Sequence, residues 1–166
     1  MIQIIELRFI FDFFSNLSEL NHQIPLPTTG LTLLHLAAYY DFFSGHDKLP
    51  ICIKSASSFL PLHYAYARGS LEIICYILTQ NPESVSKTAY ENFDDHSYLF
   101  YALESTNVRV LETLFNNGYN LNDPFNVKDV KIIMEKMVSK RPYFIPYLLP
   151  KIIEVTNPRT KSDSSL

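Results

Sequence analysis

Glycine is scarce in this chain, four in 166 residues. Loops that cradle phosphates or dinucleotides are built from clustered glycines, and neither G-x-x-x-x-G-K-S/T nor G-x-G-x-x-G occurs. The G-x-S-x-G elbow of serine hydrolases is missing too. Tryptophan is absent, and the two cysteines, Cys52 and Cys75, lie too far apart for a C-x-x-C pair. They supply neither a disulfide framework nor a zinc site, so no metal and no cofactor is expected. A basic excess is lacking as well: 14 Lys and Arg face 17 Asp and Glu, a net charge of −3. That balance disfavours a nucleic-acid partner. No apolar run reaches the roughly 18 residues of a membrane span. Ile2–Phe14 is apolar, but Glu6, Arg8 and Asp12 interrupt it, no basic region precedes it, and no small-residue cleavage site follows. The expectation is an intracellular, cytoplasmic protein with reduced thiols that does not engage membranes and is monomeric.

What is present is a large apolar fraction, 47%, with 19% charged residues, ten prolines and 23 Phe and Tyr together. Such a chain can bury a core. Its length suits one domain or about five short repeats. Leu34-His35-Leu36-Ala37-Ala38 recurs as Leu62-His63-Tyr64-Ala65-Tyr66, 28 residues on, and as Leu99-Phe100-Tyr101-Ala102-Leu103, a further 37 on. Leu71, Ile73, Ile74, Ile77 and Leu78 map at the same offset of 37 onto Val108, Val110, Leu111, Leu114 and Phe115. Within each set the spacing is that of one buried helix face. Each unit therefore reads as a short helix, a tight turn and a longer helix. Ala65 and Ala102 sit where the helices approach closely. Gly69 and Gly118 sit where a left-handed residue ends a helix. Thr32 and Ser97 precede first helices, where a hydroxyl can accept a free N–H, and Pro61 stands in a first turn where its missing N–H costs nothing.

Gly30-Leu-Thr32-Leu-Leu34-His35-Leu-Ala37-Ala38 resembles the ankyrin-repeat opening G-x-T-P-L-H-x-A-A, departing only at the proline. Pro61-Leu62-His63-Tyr-Ala65 followed by Gly69-Ser-Leu71-Glu72-Ile73-Ile74 continues that pattern, and Asn116-Asn117-Gly118-Tyr-Asn-Leu121-Asn122 is similar to the family's closing x-x-G-A-D-V-N. The resemblance spans residues 28 to 125. It implies an all-α, helix-turn-helix solenoid with short loops or hairpins between repeats and atypical helical ends. The single domain 1–155 divides into an N-terminal capping helix (1–24), a shortened repeat (28–54), a repeat with a long loop (55–91), a third repeat (92–125) and a C-terminal helical cap (126–155). A disordered tail, 156–166, follows.

The departures from the family pattern are specific. The family period is about 33 residues, whereas the intervals here are 28 and 37. Gly45 and Pro50 oppose a full second helix between Tyr40 and Lys54, so a truncated one is expected there. The long interval places an extended loop between Asn81 and Asp95. In the third unit Phe100 stands at the histidine position and Thr106 at the turn glycine. In the C-terminal cap Val130, Ile133, Met134 and Met137 face inward, and Pro142, Pro146 and Pro150 break or kink the apolar stretch that follows.

Chemistry is harder to find. The resemblance makes His35 and His63 structural, tied into the hydrogen bonding of the turn, alongside Gly30, Thr32, Pro61, Gly69 and Gly118. His22, His46 and His96 lack ligand-spaced partners. Asp94-Asp95-His96 places two carboxylates beside a base, which a solvated loop explains more simply. The expectation is therefore a non-catalytic protein–protein interaction module, a scaffold or adaptor, holding a protein partner on its concave face and hairpin tips. By repeat register the contacting residues are Leu31, Tyr39, Tyr40, Phe59, Arg68, Phe93, His96 and Glu104. Aromatics and arginine are the usual interface anchors. The alternative is a fragment of a larger or degenerate array with no autonomous function. Ser164-Ser165-Leu166 also matches the short ending captured by PDZ domains.

Overall fold

Among the described residues, four of the five with a left-handed backbone fall into pairs 28 residues apart. Gly30 (φ 64°) pairs with Ser58 (φ 62°), and Asp41 (φ 53°) with Gly69 (φ 80°). Between each pair lies a helix of the same length: α1, Leu33–Tyr40, and α2, Pro61–Arg68. The computed structural model describes residues 28–42, 49, 51–87, 96–105, 107–121 and 124–156. Within these the remaining elements are α3 (Leu71–Gln80), α4 (Ser84–Lys87), α5 (Tyr98–Ala102), α6 (Val108–Asn116) and α7 (Pro124–Lys140). A 3₁₀ turn, Pro142–Phe144, then leads into α8 (Ile145–Thr156). The architecture is all-α, with no strand among the described residues. No helix among them is long and apolar enough to cross a membrane.

The helix ends are built alike. Past α1, the N–H of Phe42 donates to the Ala37 carbonyl at 3.0 Å. Past α2, 28 residues on, Ser70 donates to Ala65 at 3.0 Å. After α6 the same six-residue closure joins Tyr119 to Leu114 at 3.3 Å, with Gly118 at φ 86°. Such closures satisfy carbonyls that the helix leaves open, and they require one left-handed residue. Glycine takes that conformation freely; Asp41 shows that a short polar residue also tolerates it.

The starts of α1 and α2 are closed by histidine. Nδ1 of His35 accepts the Thr32 N–H at 3.0 Å, and Nδ1 of His63 accepts the Leu60 N–H at 3.0 Å. Leu60 has no side-chain oxygen, so the ring at the third helical position does the work. The Thr32 hydroxyl lies 2.8 Å from His35 Nδ1. Ser97, the N-cap of α5, makes no side-chain capping bond.

His35 also ties two units together. Its Nε2 lies 2.9 Å from the Phe59 carbonyl, which also accepts the Ser55 N–H at 2.8 Å. A backbone N–H can only donate and a carbonyl can only accept. The ring is therefore neutral, bare at Nδ1 and protonated at Nε2. Burial lowers its pKa, partly offset by the bond to Phe59. Alongside, the Ala56 N–H donates to the Thr29 carbonyl at 2.9 Å. The backbones run so close that a Cβ on Gly30 would stand 2.6 Å from the Ala56 nitrogen.

Packing follows the same order. α1 lies against α2, α2 against α5, and α5 against α7, while α3 packs on α2 and α6 on α5. Ala37, Ala65 and Ala102 are buried at one repeat position, where a larger side chain would force the helices apart. Behind them Ile73, Ile74, Ile77 and Leu78 of α3 and Val110, Leu111 and Leu114 of α6 close the core. Each such side chain contributes about 1.5–3 kcal/mol by leaving water. The Ser70 hydroxyl reaches back to the Ala38 carbonyl at 2.9 Å, a further bond between units.

Two elements differ from expectation. One turn of helix, α4, occupies part of the segment read as an extended loop, with Ser84 and Val85 buried. Of the prolines near the C-terminus, Pro142 stands at the break between α7 and α8 as expected, but Pro146 and Pro150 do not end α8. Pro142 opens the 3₁₀ turn, Pro146 sits in the first turn of α8, and Pro150 lies inside it. Pro150 removes one internal hydrogen bond, yet α8 persists because Leu148 and Ile152 are buried and Ile145 packs beside them. In α7, Ile133 and Met137 are buried and Met134 is half-buried. The capping helix read into 1–24, the loop 88–95, Thr106 and the tail beyond 156 lie outside the described residues. So do residues 43–48 and 50, where the truncated helix was read; Asp41, Phe42, Leu49 and 51–54 are not helical.

Candidate binding groove

Repeat positions that α1, α2 and α5 hold in common bring several aromatic rings to one side of the helices. Phe59 precedes α2. Tyr64 and Tyr101 occupy one position in α2 and α5, and Tyr39, Ala67 and Glu104 another. Together with His63 and Arg68 these residues line an open groove of about 350 Å³. That volume is at the lower end for small-ligand sites.

The rings fix one another edge to face. Phe59 stands 5.9 Å from Tyr64 at 70° and 5.8 Å from Tyr101 at 89°. Tyr39 meets Tyr64 at 6.2 Å and Tyr40 at 4.9 Å. His63 meets Tyr101 at 5.3 Å and 88°. These are favourable offsets for ring quadrupoles, worth about 0.5–1.5 kcal/mol a pair beyond burial. They hold the groove wall before any partner arrives.

Charge enters at the rim. The Arg68 guanidinium carbon sits 3.9 Å above the Tyr39 ring. Arg68 is exposed, and no carboxylate pairs with it among the described residues. Glu104 is paired with Lys136 of α7, and its carbonyl accepts from Arg141 at 3.3 Å. Lys136 also lies 4.1 Å over the Phe100 ring. Burial lowers the pKa of Lys136, and the neighbouring Lys140 and Arg141 lower it further.

Of the eight partner-contact candidates, the groove gathers Tyr39, Phe59, Arg68 and Glu104. Tyr40 is exposed beside it, against Tyr39. Leu31 is half-buried at the start of the first unit, its N–H on the Thr29 hydroxyl at 3.4 Å. His96 is drawn away into a parallel stack on Phe100, 3.8 Å between centroids. Phe93, with Asp94 and Asp95, lies outside the described residues, so the acid–acid–base trio has only His96 within them. Tyr64 and Tyr101 were missed as groove residues, although their separation of 37 was a signal.

Among the described residues no cluster of three His, Cys, Asp or Glu side chains could hold a metal ion. Cys52 and Cys75 are exposed free thiols. The Tyr66 hydroxyl is buried with no hydrogen-bond partner, and burial, with Tyr98 nearby, drives its pKa far upward. No family model matches the chain, and neither the curated proteins nor the solved structures contain a significant match.

Proposed function

We propose that the chain is a non-catalytic protein-binding module of ankyrin-repeat type, holding a protein partner in the groove between Tyr39 and Glu104. The observation that carries this reading is the groove itself: pre-set aromatic rings, with Tyr39 and Tyr40 41% and 47% exposed beside an exposed arginine. Aromatic and arginine side chains held rigid at low entropy cost are what interfaces use as anchors. The ankyrin part of the reading is supported by the matched lengths of α1 and α2, their shared closures and the paired left-handed residues. It is supported also by the order in which successive first helices pack. A non-catalytic role agrees with a groove whose one carboxylate is neutralised by a lysine and whose one imidazole is committed at Nδ1 to a backbone N–H.

The test is a double substitution, Tyr40→Ala with Arg68→Ala, in the full chain. Both side chains are exposed, so the melting temperature should hardly move while partner capture falls. Unchanged capture would move the binding face elsewhere.

A second reading, part of a larger array without its own role, draws on the apolar side chains exposed on α7 and α8. Ile132, Val138, Leu149 and Ile153 are 38–67% exposed. A cooperative melt of the isolated chain, monomeric by sedimentation, would exclude this reading. A broad melt with aggregation would favour it.

A further inference from the structure

Among the described residues, the charge around the groove opposes that of the chain as a whole. Arg68, Lys136, Lys140 and Arg141 stand at or beside it, and Glu104 is the carboxylate in its lining. Counting these five groups, the local excess is three positive charges, in a chain whose net charge is −3. The depressed pKa of Lys136 has crowding by Lys140 and Arg141 among its causes. Lys136 already pairs with Glu104, so Arg68 is the cationic group of the groove lining that meets no carboxylate among the described residues.

A basic, aromatic groove could take a nucleic acid strand or an acidic peptide, and the ring geometry separates the two. Base stacking needs an open aromatic face. Here the face of Tyr39 is covered by Arg68, and Phe100 has His96 stacked on it and Lys136 over it. Phe59, Tyr64 and Tyr101 meet edge to face, which suits an inserted side chain better than a stacked base. The exposed Arg68 guanidinium, placed over Tyr39, carries paired N–H groups that a carboxylate can accept two at a time.

We propose that the groove docks an extended peptide segment carrying an aromatic or aliphatic side chain next to one or more carboxylates. The apolar side chain enters between Phe59, Tyr64 and Tyr101, and the carboxylate is received by Arg68. This inference rests on the reading of the groove as a binding face, and the experiment separates the two.

The full chain is used to select from a displayed library of randomised peptides, and the enriched peptides are titrated by fluorescence anisotropy. Enriched sequences should join Asp or Glu to Phe, Tyr or Leu within a few residues. Replacing the peptide's acids by their amides, or Arg68 by Ala, should each weaken binding roughly tenfold, which corresponds to about 1.4 kcal/mol. Arg68→Lys should recover part of that loss, and added salt should weaken the native complex. Ala67→Glu, which puts a like charge in the groove wall, should abolish binding while circular dichroism shows the fold intact. Groove-dependent peptides without acidic residues, or acidic ones indifferent to Arg68→Ala, would overturn the proposal and leave the binding face standing. Peptides insensitive to both Tyr39→Ala and Ala67→Glu, or an empty selection, would overturn both. A thymidine oligonucleotide that binds the groove more tightly than any peptide would overturn the peptide assignment in favour of nucleic acid.

Discussion

Acidification should loosen this protein through His35, and the size of the effect follows from its surroundings. The ring is fully buried, bare at Nδ1 before the Thr32 N–H and protonated at Nε2 before the Phe59 carbonyl. A second proton on Nδ1 would face a backbone donor, so the folded state resists it and the folded pKa lies below the ordinary value of 6.5. A base with a depressed folded pKa contributes its full stability above 6.5. That contribution is lost as pH falls from there towards the folded pKa, because the unfolded chain takes up the proton first. The slope approaches about 1.4 kcal/mol per pH unit, so a drop from pH 7.5 to 5.5 should cost about 1 kcal/mol from this group. His35→Gln can keep an acceptor and a donor without titrating. His35→Ala instead orphans the Thr32 N–H and leaves a cavity, together costing about 3 kcal/mol. Urea unfolding of wild type and His35→Gln at both pH values isolates the ring, because every other titrating group is shared. Equal acid sensitivity of the two proteins would refute the assigned tautomer and its role.

Tyr66→Phe should stabilise the fold by about 1 kcal/mol, since it removes a buried hydroxyl with no partner; a loss of stability in thermal melts would mean that the hydroxyl is bonded. Gly30→Ala and Gly118→Ala should separate two costs of glycine replacement. At Gly118 nothing lies within 4 Å of the added Cβ, so only the left-handed backbone is penalised, by about 1 kcal/mol. At Gly30 the same penalty is joined by a clash with the Ala56 backbone, and a loss at least twice as large should appear in urea titrations; equal losses would contradict the close approach. Pro150→Ala should raise helicity and melting temperature by restoring a donor inside α8, and no change in the far-ultraviolet signal would argue that the helix is already interrupted there.

The helices were legible in the sequence because their marks are local. An apolar pattern carried over at offsets of 28 and 37 gave helix positions that α1, α2, α3, α5 and α6 occupy. Glycine was a partial guide to the turns. Ser58 and Asp41 hold the left-handed positions that Gly30 and Gly69 hold in the neighbouring unit, and a search restricted to glycine passes over them. Pro142 marked the break after α7, whereas Pro150 misled for the opposite reason. A proline's local cost is easy to read, but the burial of Leu148 and Ile152 that outweighs it in α8 depends on distant partners.

The groove was half legible, and the missing half explains how it works. Aromatics on a helical period are core residues by default, and Tyr101, only 9% exposed, obeys that rule. Its ring nevertheless forms part of the groove wall, because Phe59 approaches it from the preceding unit with Tyr64 packed on Phe59 in turn. The same residues therefore join α2 to α5 and shape the surface offered to a partner. The wall cannot relax without loosening the contact between units, so a ligand meets it already ordered. Affinity should then depend on the few exposed groups at the rim, Arg68 foremost. Truncating Arg68 should speed dissociation of a bound peptide while leaving unfolding untouched, whereas Tyr101→Ala should weaken both together. If Tyr101→Ala left the urea midpoint unchanged, wall and core would be separate, and this coupling of stability to recognition would fail.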